Sequence, residues 1–189
     1  EPWYDSDIPI IVAAGRLAPW KGFSDLIYAM KELNKTMEAR LIILGGGSLK
    51  KELELLIKEL NLEKIVKLTG YVENTLKYFK RANVFVLSSH VEGLPNVLVE
   101  AMMCGCTPVS TDCPTGPREV LKDGEYGYLT PVGDITSMAN GIRKALKNPI
   151  PEGILKKAVE PFSELKVFEE HCKSLEISKS DFFPKNSKV

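Results

Sequence analysis

Short apolar runs alternate along the chain with longer stretches in which apolar residues recur every three or four positions. Runs such as Ile8–Ala14 are nearly all apolar and end at glycine, which is typical of buried strands. The stretches between them, such as Phe23–Leu33, place apolar side chains on one helical face. This alternation predicts an α/β, Rossmann-like parallel sheet of about six strands with helices on both faces. The predicted strands are Ile8–Ala14, Arg40–Leu44, Ile65–Leu68, Val84–Leu87, Thr107–Ser110 and Tyr126–Thr130.

Helix boundaries are marked by capping residues and prolines. Ser48 and Asp134 are predicted N-caps, and Pro95 suits a first helical turn. We predict one domain over residues 1–177 and a tail over residues 178–189. The predicted helices are Phe23–Leu33, Leu49–Leu60, Thr75–Arg81, Pro95–Cys104, Pro117–Leu121 and Ile135–Lys147, followed by a helical remainder to about Ile177.

The chain of 189 residues has no net charge, since 25 basic residues balance 25 acidic ones. A neutral chain is a poor general binder of nucleic acid or anionic lipid. No apolar run approaches the roughly 20 residues that span a bilayer. The opening EPWYDSD is acidic and lacks an initiator Met, so we expect a fragment or a processed product without a signal peptide.

The four cysteines and two histidines do not have the spacing of a metal site. Structural zinc sites favour CxxC pairs or added histidines, and neither histidine has a partner at ligand spacing. We therefore expect no metal and no disulfide framework, but reduced and mostly buried thiols. The residues concerned are Cys104, Cys106, Cys113, Cys172, His90 and His171.

The loops that follow the predicted strands carry the candidate chemistry, because ligands of such folds bind at the carboxyl ends of the strands. Arg16 and Lys21 lie in one such loop, GRLAPWKG, and could together neutralise a diphosphate. The alternative is that both are ordinary surface cations.

A second candidate loop contains Glu92 and leads into a helix that carries Glu100. The amides near Asn96 and Val97 form a positive helix end suited to phosphate, and a carboxylate nearby could accept the hydroxyls of a ribose. On spacing alone, a solvated or salt-bridged Glu100 is equally consistent.

Three further loop features have weaker chemical signals. The Gly45–Gly47 turn lets backbone approach a ligand closely, although a tight turn without a ligand fits as well. Tyr71 could stack on a base, or be a core or surface tyrosine. His90 could touch a sugar, or be incidental.

Five motifs in order resemble the donor-binding half of retaining GT-B glycosyltransferases of the large group 1 family. They are GRLAPWKG, LIILGGGSLKKEL, VKLTGYV, SSHVEGLPNVLVEAMMCGCTPVSTDCPTGPREVL and GYLTPVGD, and they cover roughly Ile10–Lys147. The motifs EGLPNVLVEA and DCPTGPREVL resemble those of transferases that use UDP-N-acetylhexosamines or related hexoses in bacterial surface-glycan synthesis.

The resemblance implies roles for residues that match the family motifs. Arg16 and Lys21 would hold the diphosphate and stabilise the leaving group, Glu92 would contact the donor sugar and Glu100 the ribose. Backbone around Gly93, Leu94, Asn96 and Val97 would meet the sugar and phosphates, and Tyr71 and Val72 would meet the base. Pro95 departs from the commoner pattern, in which this position offers a backbone donor.

The implied partners are a nucleotide-sugar donor and a glycan or lipid-linked acceptor, with no cofactor and no nucleic acid. The resemblance also implies that an N-terminal acceptor-binding domain is missing from this chain, which would transfer little or nothing alone. It implies a cytoplasmic protein, and leaves open a peripheral position at the inner membrane face. The alternatives are a non-catalytic nucleotide-binding module and a sugar-phosphate-processing relative of the same fold.

Overall fold

The computed structural model describes Trp3 and residues 7–162. Its strands form one six-stranded sheet in the order β3-β2-β1-β4-β5-β6, and every neighbouring pair is parallel. The predicted α/β, Rossmann-like fold is therefore confirmed. The strands are β1 (Ile10–Ala14), β2 (Arg40–Leu44), β3 (Val66–Gly70), β4 (Val84–Leu87), β5 (Thr107–Thr111) and β6 (Tyr128–Thr130).

Helices cover both faces of the sheet, as the nearly continuous apolar strands require. The helices are α1 (Phe23–Asn34), α2 (Lys50–Glu59), α3 (Leu76–Phe79), α4 (Asn96–Met103), α5 (Pro117–Val120), α6 (Ile135–Lys147) and α7 (Glu152–Val159). On one face α1, α2 and α6 pack on a core that includes Leu26, Leu53 and Ile142, all of them inaccessible to solvent. On the other face α3, α4, α5 and α7 pack on a second core that includes Phe79 and Phe85.

The two predicted caps have opposite outcomes. Asp134 caps α6 as predicted, because its Oδ1 accepts a hydrogen bond of 2.8 Å from the Ser137 amide. The prediction for Ser48 is wrong: Leu49 occupies the N-cap position of α2, without a side-chain cap. The Leu49 amide donates to the Leu17 carbonyl at 3.2 Å, so a tertiary contact rather than a local cap determines where α2 begins.

The strand order reverses at β1, whose neighbours β2 and β4 lie on its two sides. In open parallel sheets this arrangement leaves a crevice at the carboxyl ends of the strands, where the connecting loops diverge. No helix among residues 7–162 is both long enough and apolar enough to cross a bilayer.

The predicted boundary at residue 177, the tail and most of the C-terminal helical segment lie outside the described residues. Within the described part, α7 is followed by a single 3-10 turn, Glu160–Phe162.

Candidate functional site

A cavity of about 500 Å³ opens at the carboxyl ends of β1, β2 and β3, beside the start of α4. This is the crevice expected from the strand order. Both predicted cations and both predicted base-contacting residues line it together. Its lining consists of Ala14, Gly15, Arg16, Lys21, Leu44, Gly45, Gly46, Tyr71, Val72, Thr75 and Val97.

Backbone hydrogen bonds hold the loops around this cavity together. The Gly15 amide donates to Leu44 O at 2.9 Å, and the Gly45 amide donates to Gly70 O at 2.8 Å. The Leu17 amide donates to Gly46 O at 2.9 Å. The cavity floor is therefore a bonded backbone surface, which limits how far it can deform on binding.

The Gly45–Gly47 turn has two functions that the sequence did not separate. A Cβ on Gly45 would lie 2.0 Å from Gly15 O, and one on Gly47 would lie 2.4 Å from Leu17 O. Gly46 lines the cavity and has open space where a Cβ would be. Gly45 and Gly47 therefore permit close packing of the loops, and Gly46, like Gly45, exposes backbone to the cavity.

The predicted cation pair lies on one wall of the cavity, although the two side chains differ in surroundings. Arg16 is exposed, whereas only 20% of the Lys21 side chain is accessible. The Lys21 ammonium lies 2.5 Å from Glu92 Oε1, and the Glu92 side chain is only 10% accessible. Arg16 thus lines the cavity beside a lysine whose ammonium is held by a carboxylate.

Glu92 is held from three directions. Its Oε1 also accepts a hydrogen bond of 2.6 Å from Ser89 Oγ, and its backbone carbonyl accepts from Thr115 Oγ1 in the β5–α5 loop. Burial raises the pKa of the neighbouring Cys113 thiol, and the negative charge of Glu92 raises it further. Glu92 does not line the cavity itself, so its contact with a ligand remains a prediction.

The β1–α1 and β4–α4 loops are joined along their length. Ser88 Oγ donates to Lys21 O at 2.8 Å, and the His90 amide donates to Trp20 O at 2.8 Å. The His90 ring lies 2.6 Å from Asp25 Oδ2 on α1, which places this histidine in a structural contact. Gly22 has a φ of 62°, and its backbone passes so close to Ser88 that a side chain would not fit.

The start of α4 offers fewer amides than the sequence suggested. Pro95 is the N-cap residue and has no N–H, and the Asn96 amide donates to Leu94 O at 3.0 Å. The Asn96 amide is therefore not the free amide that the sequence suggested, and the predicted contact of Asn96 with a donor phosphate remains a prediction. Val97 lines the cavity, so its part of the first turn of α4 borders the cavity.

Glu100 is exposed on α4 and does not line the cavity, and the same is true of Gly93 and Leu94 in the preceding loop. Their predicted contacts with ribose and sugar remain predictions. Tyr71 is 82% exposed at the cavity edge, so its ring is accessible for stacking on a base.

Several residues that build the site were not among those predicted from the sequence. Thr75 lines the cavity, and Ser88, Ser89 and Thr115 hold the residues around it. Ser88 and Ser89 directly follow the buried strand β4, and this position was the feature of the sequence that could have identified them as site residues. Thr115 is separated from Glu92 by the whole of α4 and β5, and no local pattern links the two.

Across Trp3 and residues 7–162, no group of three or more His, Cys, Asp or Glu side chains could hold a metal ion. Cys104, Cys106 and Cys113 are free thiols. Burial raises the pKa of Cys106 to about 12.

The chain that forms this site is similar to the members of a known protein family. Residues 4–160 match the family described as "Glycosyl transferases group 1". Over 138 residues the chain is 41% identical to the N-acetylgalactosamine-N,N'-diacetylbacillosaminyl-diphospho-undecaprenol 4-alpha-N-acetylgalactosaminyltransferase of Campylobacter jejuni, a match that covers 73% of this chain and 37% of that enzyme.

Solved glycosyltransferases share the fold. TarM from S. aureus, crystallised with fondaparinux, alpha-GlcNAc-glycerol and UDP, superposes with a TM-score of 0.81 at 26% identity, covering 88% of this chain and 35% of TarM. The pneumococcal O-GlcNAc transferase GtfA, in complex with UDP and GlcNAc, superposes with a TM-score of 0.79 at 25% identity, with the same coverage of 88% and 35%.

The matches span only part of the relatives, since the chain covers 37% of the Campylobacter enzyme and 33% of a Methanocaldococcus jannaschii glycosyltransferase. They nevertheless extend over most of the chain, and the family match includes every strand of the sheet and every loop around the cavity. The chain belongs to the group 1 glycosyl transferase family and has the Rossmann-like domain of GT-B glycosyltransferases.

Proposed function

We propose that this chain is the donor-binding domain of a retaining glycosyltransferase that uses a UDP-hexose or a UDP-N-acetylhexosamine. The acceptor would be a glycan or a lipid-linked glycan in cell-surface polysaccharide synthesis. The observation that carries the proposal is the single cavity that brings Arg16 and Lys21 together with Tyr71, Val72 and the first turn of α4.

The dimensions and charges of the cavity fit a nucleoside diphosphate. A volume of about 500 Å³ lies within the range of small-molecule sites. A diphosphate would meet Arg16 and Lys21, and a base would meet the exposed ring of Tyr71, since all three residues line this cavity. UDP is present in the TarM and GtfA structures that share this fold, which favours uracil as the base.

The proposed chemistry follows from charge development. When the bond between sugar and diphosphate breaks, negative charge accumulates on the leaving phosphate, and preorganised cations stabilise it. Arg16 supplies a planar fork and Lys21 a point charge, so the proposed reaction needs no metal and no cofactor. Glu92 would contact the donor sugar through Oε2, since Oε1 is occupied, and Glu100 would bind the ribose.

The acceptor class is proposed from relatives. The Campylobacter enzyme is named for a diphospho-undecaprenol substrate, which is a lipid-linked glycan. We propose a cytoplasmic protein that meets such an acceptor at the membrane face through an acceptor-binding domain outside this chain. The chain alone would then transfer no sugar, and sustained turnover of UDP-sugars by the purified chain would contradict this part of the proposal.

Isothermal titration of UDP, GDP and ADP into the purified chain tests the donor site. We expect UDP to bind most tightly of the three nucleotides. Arg16→Ala should weaken the binding of UDP by about 10-fold or more, because a charge-assisted contact contributes roughly 1.5–3 kcal/mol. Arg143→Ala is the matched control, since Arg143 lies on α6 and bonds Asn140 and Thr36 away from the cavity.

Equal losses in the two arginine variants, or no nucleotide binding at millimolar concentration, would overturn the proposed site. Tighter binding of GDP or ADP than of UDP would overturn only the choice of base.

A further inference from the structure

Lys21 is the cavity cation that is held at both ends by another loop. Its backbone carbonyl accepts a hydrogen bond of 2.8 Å from Ser88 Oγ, and its ammonium lies 2.5 Å from Glu92 Oε1. Ser88 is 2% exposed, and the Glu92 side chain is 10% accessible. The position of the ammonium is thus determined by the β4–α4 loop rather than by the loop that carries it.

Ser89 determines where the Glu92 carboxylate lies. Its hydroxyl donates to Glu92 Oε1 at 2.6 Å, the same oxygen that binds Lys21. Ser89 is 1% exposed, and its own carbonyl accepts from Thr111 Oγ1 at 2.5 Å. The anchor therefore runs from β5 through Ser89 and the carboxylate to the ammonium.

This arrangement matters because a lysine side chain is long and flexible. Ordering it costs up to about 2 kcal/mol of rotamer entropy. A carboxylate fixed by two donors on one oxygen holds the ammonium at the cavity before a ligand arrives, so part of that cost is met during folding. A carboxylate that has lost the serine could rotate about its terminal bond and carry the ammonium with it.

We propose that Ser89 is a positioning residue for the donor diphosphate, acting through Glu92 on Lys21. The proposal rests on the proposed function, in which Lys21 binds that diphosphate. It deepens that function, because it gives a buried serine that lines no part of the cavity a role in donor affinity.

A double-mutant cycle on UDP affinity tests the pathway. We expect Ser89→Ala to weaken UDP binding by about three- to tenfold, less than the roughly tenfold or larger loss for Lys21→Met, which removes the charge itself. In the Lys21→Met background, Ser89→Ala should have no further effect, since the group through which it acts is gone. If Ser89 only supports the fold, Ser89→Ala should weaken UDP binding equally in the wild-type and Lys21→Met backgrounds.

Ser110→Ala is the matched control. Ser110 lies on β5 and is fully buried, and its hydroxyl donates at 2.9 Å to the backbone carbonyl of Thr111, whereas the contact of Thr111 with Ser89 is made by its side-chain hydroxyl. We expect this variant to leave UDP affinity unchanged. Thermal unfolding of each variant identifies any that do not fold, and Ser89→Cys, a similar-sized but weak donor, replaces Ser89→Ala in the cycle if it fails.

The outcomes separate this inference from the proposed function. Unchanged affinity in folded Ser89→Ala, or an equal loss with and without Lys21, overturns the role of Ser89 and leaves the donor site intact. Unchanged UDP affinity in both Arg16→Ala and Lys21→Met overturns the donor site itself, and this inference with it.

Discussion

The close passage of Gly22 past Ser88 makes Gly22→Ala an informative perturbation. A Cβ at this position would lie 2.0 Å from Ser88 O and 3.2 Å from the His90 ring. The two loops would have to separate by at least 1.0 Å to restore even a 3.0 Å contact with the carbonyl. Separation would weaken the bonds from Ser88 to Lys21 O and from His90 to Trp20 O.

The loss of folding stability expected for Gly22→Ala has two contributions. A non-glycine residue with a φ of 62° costs about 1–2 kcal/mol. Weakening the two inter-loop hydrogen bonds costs roughly 0.5–1.5 kcal/mol each. We therefore expect the free energy of unfolding to fall by about 2–5 kcal/mol, and UDP affinity to fall because Lys21 and Glu92 move apart.

Urea denaturation followed by circular dichroism measures the first effect, and titration of UDP measures the second. Gly133→Ala is the matched control, since Gly133 has a φ of 72° but open space around the position of a Cβ. It should lose only the backbone contribution of about 1–2 kcal/mol. If Gly22→Ala and Gly133→Ala differ by less than about 0.5 kcal/mol and both bind UDP normally, the loop contact does not support the site as argued.

Three further predictions concern the domain around the site. Hydrogen bonds from Ser137 lower the pKa of Asp134 below its ordinary 3.8. The Asp134 carboxylate therefore stabilises the folded protein fully above that pH, and this contribution is lost as the pH falls through the lower pKa of the folded state. Asp134→Ala should flatten this part of the curve of melting temperature against pH. Phe85→Leu should destabilise the protein in urea by at least the roughly 0.5–1.5 kcal/mol of its edge-to-face contact with Phe79, and a smaller loss would contradict that packing. Burial raises the pKa values of Cys104, Cys106 and Cys113. Iodoacetamide should therefore label these thiols slowly in the native protein at neutral pH and fully after unfolding, as followed by mass spectrometry. Fast labelling of Cys106 in the native protein would be inconsistent with its burial.

The local pattern of apolar and polar residues predicted the fold well, because each strand and helix is indicated by residues within its own segment. Arg40–Leu44 and Val84–Leu87 are strands at the predicted boundaries, and α6 spans the predicted Ile135–Lys147. Other observed boundaries differ from the predicted ones. β1 begins at Ile10 instead of Ile8, and α3 is a single turn, Leu76–Phe79, rather than the longer helix predicted over Thr75–Arg81.

The candidate site could be predicted only in part. Arg16 and Lys21 were identifiable because the carboxyl ends of parallel strands collect the ligand-facing loops, and both line the cavity. The ion pair between Lys21 and Glu92 joins residues 71 positions apart, and no local periodicity connects them. The contacts of Ser88 with Lys21 and of Thr115 with Glu92 span 67 and 23 positions and were hidden for the same reason. Ser89 lies only three positions from Glu92, but its contact depends on how the β4–α4 loop folds.

The sequence by itself determined the alternation of strands and helices, the apolar faces and the loops that could carry charge, because these depend on neighbours within a few positions. Only the tertiary structure decided that one carboxylate oxygen receives both Lys21 and Ser89, and that the Asn96 amide is already bonded. The physical reason is the range of the interactions. Hydrogen bonds and ion pairs form over about 3 Å, and which side chains come that close depends on how the whole sheet brings its loops together.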